Sequence, residues 1–128
     1  MTARLGSTAV LVALALLVAA CSGAGTSKTA TDAPRPKGTL AGDPELLKGR
    51  RIYVDRCSAC HGKAGEGVVG PSFDDGKLLR DFDSVAAQVE FVRTGRGVMP
   101  QFGGVLDEDE LRAVVRYERE VLSRPADR

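Results

Sequence analysis

Apolar and polar positions follow three different patterns along this chain. Residues 9–20 are apolar without a single charge. A run of about 12 residues matches the core of a signal peptide and falls short of the roughly 20 that span a bilayer. Residues 22–42 then offer almost nothing to bury, being rich in Gly, Ser, Thr, Ala and Pro. A helical period begins only after Asp43. Asp43-Pro44-Glu45 is a helix start: the Asp caps free amides, the Pro fits the first turn and the Glu suits the positive end of the dipole. This helix is expected over Pro44–Arg56, with Leu46, Leu47, Tyr53 and Val54 as its apolar surface. Gly49 costs about 1 kcal/mol there relative to Ala, which predicts a close neighbour.

The pattern then breaks. Gly62, Gly65, Gly67, Gly70, Pro71 and Gly76 exclude long helices or strands over residues 61–76. A second helix follows, capped by Asp83 or Ser84, carrying Val85, Val89 and Val92 and ended by Gly95. After a loop over residues 96–105, Asp107 and Glu110 form a capping-box pair, and Leu106 is placed to staple onto Leu111. Leu111, Val114, Val115, Val121 and Leu122 continue the helical period. No strand pattern competes, so the predicted fold class is all-α, with three main helices and loops. The acidic cluster over residues 107–110 reads as capping chemistry and solvated surface rather than a binding site.

Composition narrows the picture. From residue 43 onward the chain carries 14 Lys/Arg against 16 Asp/Glu, a weakly acidic balance with no basic patch to suggest nucleic acid. The single histidine, His61, excludes a metal site built on several imidazoles. A domain of roughly 80 to 90 residues has a small core and is often stapled.

The candidate staple is Cys57-Ser58-Ala59-Cys60-His61. Two cysteines three positions apart share one side of a helical turn, so their sulfurs can reach neighbouring edges of one porphyrin. His61 then lies under the ring, where an imidazole nitrogen can bind the iron. This is why C-x-x-C-H marks covalent haem c attachment, here one haem through Cys57 and Cys60. Competing readings are weaker. A thioredoxin-like pair needs a strand–helix–strand setting, zinc needs about four ligands, and a disulfide would close a very tight loop. The second axial ligand is expected at Met99, in the loop Gly97-Val98-Met99-Pro100, because a soft thioether favours ferrous iron. If Met99 merely packs, the iron is open to a gas or peroxide. Pro71 is either a turn proline or the residue whose carbonyl steadies the far nitrogen of His61; spacing leaves both open.

The third cysteine, Cys21, follows Leu17-Val18-Ala19-Ala20. Small residues abutting a Cys at the end of a signal core resemble a bacterial lipobox, in which Cys21 is lipidated after cleavage. The expected organisation is therefore a lipoprotein-type signal peptide over residues 1–20, a flexible linker over 21–42 with a lipidated Cys21, a folded domain over 43–124 and a tail over 125–128. About 21 linker residues span roughly 25 Å. The expected location is the cell envelope, anchored by lipid on the extracytoplasmic side of a membrane.

Taken in order, Gly49, Tyr53, the C-x-x-C-H, Gly70-Pro71, Met99-Pro100-Gln101-Phe102 and Val114-x-x-Tyr117 resemble the bacterial class I cytochrome c family, in its small single-haem, lipoprotein-anchored form. The resemblance covers essentially all of residues 44–122. It implies that the first and last helices cross closely at Gly49, with Tyr53 and Tyr117 near the join, and that the Pro71 carbonyl supports His61. It also implies single-electron transfer between membrane-bound redox proteins as donor and acceptor, with no enzymatic step. Alternatives are a haem subunit of a larger oxidoreductase, or a gas- or peroxide-binding protein if Met99 is displaced. One position departs from the family: an apolar residue often follows the Tyr, but here it is Glu118. The final helix is therefore expected to be more exposed on that side, or salt-bridged.

Overall fold

The computed structural model describes residues 33–73 and 76–123; the expected leader, Cys21 and the expected tail over 125–128 lie outside them. Among the described residues there are five α-helices: α1 (Pro44–Arg56), α2 (Ser58–His61), α3 (Lys77–Asp81), α4 (Val85–Thr94) and α5 (Glu108–Tyr117). A 3₁₀ turn over Gly38–Leu40 precedes them and a π-helical turn over Glu118–Leu122 follows. The three longest helices stand where the periodicity places them. The short α2 and α3 carry too few residues to leave a periodic signal.

The caps are the expected ones. Asp43 accepts from the amides of Glu45 and Leu46 at 2.8 and 3.1 Å. Ser84 accepts from Ala87. Asp107 and Glu110 exchange both bonds of a capping box. Each satisfies amides that the first turn leaves without a helical partner.

Helix α1 packs against α5, and α4 packs on α5 as well. The closest approach falls at Gly49, where a Cβ would lie 2.0 Å from the Ala113 carbonyl oxygen. Only a glycine lets the two backbones meet there. The Tyr53 and Tyr117 rings fill the join with centroids 5.5 Å apart, and both residues are fully buried. Across the outer end of the crossing, Arg116 of α5 pairs with Asp43, Glu45 and Glu120.

Residues 33–42 differ from the linker expectation. Ala33 and Pro36 are buried. The Arg50 guanidinium donates to the Ala33 carbonyl from Nε at 3.0 Å and from Nη2 at 2.8 Å. The Tyr117 hydroxyl donates to the Pro34 carbonyl at 2.6 Å. The physical reason lies in the helices, not in the segment. Arg50 and Tyr117 are buried and need acceptors, and an extended Pro-rich strand offers free carbonyls. The described chain is therefore docked on the helices from Ala33 onward, ahead of Asp43.

Glu118 is the second difference. It is 4% exposed, it forms no salt bridge among the described residues, and its Oε2 accepts from Gln88 Nε2 at 2.8 Å. It lies three and four positions after Val115 and Val114, on the buried stripe of the helix, so rotation about the helix axis carries it inward despite its charge.

Candidate functional site

Cys57, Cys60, His61 and Met99 line one cavity of about 610 Å³. Helix α1 delivers Cys57 at its C-terminal end, where the Cys57 amide bonds the Tyr53 carbonyl. The single turn of α2 then carries Cys60 and His61. Burial pushes the Cys57 thiol well above its ordinary range. A buried neutral thiol is poorly suited to redox exchange or to zinc, both of which use the thiolate, whereas a thioether needs no charge. Both cysteines are free of a disulfide. Among the described residues, no three His, Cys, Asp or Glu side chains gather as a metal cluster. The donor set suits a covalent haem, and the space lies within the range of cofactor cavities.

The loop after α2 is shaped around His61. Its Nδ1 lies 3.0 Å from the Pro71 carbonyl oxygen, which leaves Nε2 for the cavity. Gly70 passes so close that a Cβ there would sit 2.6 Å from the imidazole. Phe73 stacks on the ring with centroids 4.6 Å apart and planes inclined by 23°. The Tyr53 hydroxyl donates to the Gly62 carbonyl at 2.6 Å, tying the residue after His61 to α1. Neither Phe73 nor this bond was foreseen. Phe73 lies in a glycine-rich loop where no periodicity reports on packing. Tyr53 already had an apolar role that hid its polar one.

Met99 approaches from the other half of the molecule. Its amide and carbonyl exchange 3.1 Å hydrogen bonds with Arg96, closing a tight turn over Gly97, whose φ of 63° favours glycine. The chain then returns to α4 through bonds from Phe102 to the Val92 carbonyl and from Gly103 to the Arg93 carbonyl, at 3.2 and 3.0 Å. Met99 is half-buried and packs at the edge of the apolar cluster. The predicted site residues of the described chain are thus brought together from α1, α2 and two loops. Cys21 lies outside the described residues.

Residues 44–117 match the family profile described as cytochrome c oxidase, cbb3-type, subunit III. The chain belongs to the cytochrome c family. Members of this family hold haem c covalently through cysteines, and in this cytochrome Cys57 and Cys60 are that pair. The cbb3-type cytochrome c oxidase subunit FixP of Bradyrhizobium diazoefficiens is 39% identical over 77 residues, covering 57% of this chain and 26% of that protein. The chain therefore spans about a quarter of that relative. Cytochrome c-551 of Bacillus subtilis is 29% identical over 105 residues, covering 82% of this chain and 85% of that one. Among solved structures, cytochrome c6 from the diatom Phaeodactylum tricornutum superposes with a TM-score of 0.51 at 28% identity, over 57% of this chain and 88% of its own. The fold is that of class I cytochromes c.

Proposed function

We propose that this cytochrome is a one-electron carrier, with no catalytic step of its own, held by a lipidated Cys21 at the extracytoplasmic face of a membrane. The observation that supports the carrier reading is the convergence of Cys57, Cys60, His61 and Met99 on one cavity. Haem c bound there supplies an iron that alternates between the ferrous and ferric states. Cys57 and Cys60 anchor it as thioethers. His61 would bind the iron through Nε2, with the Pro71 carbonyl accepting from Nδ1–H and so fixing the tautomer and the ring plane. Met99 would supply the second ligand to the iron, and its soft sulfur would favour the ferrous state and raise the potential. Two protein ligands kept in both states would leave little to rearrange on transfer. Val69 and Val98 line the same cavity and are 71% and 90% exposed. An apolar rim of this kind suits brief docking of membrane-bound redox proteins as donor and acceptor.

The test is optical. The protein matured with haem is expected to keep the haem through denaturation and to show a low-spin spectrum with a methionine–iron band when oxidised. Met99→Ala should abolish that band and lower the potential sharply. A high-spin native spectrum, or rapid carbon monoxide binding to the native ferrous protein, overturns the ligand assignment. The Cys21→Ser variant should move from the membrane fraction to the soluble one.

The match to an oxidase subunit favours a second reading, in which the domain is a fixed electron-entry subunit of a larger oxidoreductase. Co-purification with partner subunits from detergent-solubilised membranes separates it from a free carrier.

A further inference from the structure

Glu118 is a carboxylate that electron transfer as described above does not use, and it lies on the wall of the same cavity as His61 and Met99. We propose that Glu118 is a redox-linked proton acceptor: facing the haem cavity, with its carboxylate bonded among the described residues to Gln88 alone, it takes up one proton when the iron gains one electron. The inference rests on the haem reading of the site.

The geometry is that of a group built to hold a proton in either state. Arg119 Nη1 donates to Gln88 Oε1 at 3.2 Å and to the Phe82 carbonyl at 3.1 Å. A guanidinium can only donate, so the oxygen of Gln88 must face it. The amide nitrogen of Gln88 is thereby turned to Glu118 and donates to Oε2. That bond favours the carboxylate and is still available to the carbonyl oxygen of a carboxylic acid. Oε1 is left free of protein hydrogen bonds among the described residues, and no buried side-chain oxygen there lacks a partner. Oε1 therefore opens to the cavity surface, where a proton can sit.

The surroundings supply little charge to hold the anion. From α1, Tyr53 and Cys57 face Glu118, and burial keeps both neutral. From α4 comes Gln88, which is neutral and 1% exposed. Arg119, on the same turn, is committed to Gln88 and Phe82. The charged residues that line the cavity are Arg56, Arg96 and the mutually paired Lys77 and Asp81. Among the described residues none of them forms an ion pair with Glu118. Burial accordingly pushes its carboxyl up to about 8, inside the range where a change of one charge nearby alters its ionisation.

The electron and proton balance follows. Ferric iron, the Glu118 carboxylate, one electron from the redox donor and one proton from water give ferrous iron and the Glu118 carboxylic acid. Oxidation by the acceptor reverses both. Loss of the positive charge at the iron weakens the hold on the anion, so Glu118 binds its proton more tightly in the reduced protein. Above both proton affinities the potential sits on a low plateau, below both on a high one, and between them it falls as pH rises.

The experiment is the midpoint potential of the haem-loaded protein against pH, with redox-difference infrared spectra as a second readout. The wild type is expected to show a falling segment around pH 8 and a protonated-carboxyl band that appears on reduction. Glu118→Gln, nearly isosteric, should hold the high plateau throughout and lack the band. Gln88→Leu removes the donor that favours the anion and should displace the falling segment to higher pH. A wild-type potential that is flat across this range, or a falling segment that survives in Glu118→Gln, overturns the inference while leaving the haem reading intact. A protein that matures without a c-type spectrum overturns the haem reading, and this inference with it.

Discussion

Glu118 shows how one residue can oppose the stability of the fold that contains it. Its pKa in the folded protein is about 8 against an ordinary 4.5, with burial as the leading cause. Between those values the folded protein binds more protons than the unfolded chain, so stability falls as pH rises. The contribution is complete below about pH 4.5 and lost as pH climbs through about 8. Glu118→Gln cannot ionise, so the difference in melting temperature between variant and wild type should widen across that window. The gain from the variant should be on the order of a few kcal/mol at its alkaline end. Thermal unfolding of both proteins at several pH values measures it, and parallel curves would contradict it. Asp43 and Glu45 act in the opposite sense. Backbone amide bonds, chiefly from Leu46, hold the Asp43 carboxyl low, and Arg116 does the same for Glu45. Their contributions vanish as pH falls below the ordinary carboxylate range.

Among the elements, the crossing of α1 and α5 is the most demanding contact. A methyl at residue 49 would meet backbone oxygen, not the end of a flexible side chain, so no rotamer change relieves it. Gly49→Ala should therefore destabilise the protein by about 3 kcal/mol or more, despite the higher helix propensity of Ala. Chemical denaturation checks this; an unchanged midpoint would mean that the helices slide apart at little cost. The same crossing positions the site, because α1 ends at Cys57 and its Tyr53 holds the Gly62 carbonyl just past His61. Loosening it should also reduce the yield of haem-loaded protein.

Over the whole molecule, the chain outside the helices is partly claimed by them. Arg50 and Tyr117 grip the carbonyls of Ala33 and Pro34, so the segment ahead of α1 is held at the α1–α5 crossing. Lys37 is exposed and lies just past the gripped stretch. Trypsin should cut after Lys37 slowly in the wild type and markedly faster when Arg50→Ala and Tyr117→Phe are combined. Equal rates, followed by mass spectrometry, would show that the grip does not restrain the segment.

How much of this was legible in advance follows from the range of each interaction. Caps, the three longer helices and the C-x-x-C-H unit are governed by contacts within one turn, so residue order alone determined them. The place of Met99 on the cavity wall was legible because a thioether in a glycine- and proline-flanked loop is an unusual setting for a purely structural methionine. The docking of residues 33–42, the stacking of Phe73 on His61 and the burial of Glu118 were decided only by the tertiary structure. Each depends on a partner outside its own element: Arg50 and Tyr117 for the docked segment, His61 of α2 for Phe73, and Gln88 of α4 for Glu118. Local pattern reports which way a side chain points along its own element. What waits for it there, and whether a carboxylate finds water or a buried amide, is set by how the elements pack.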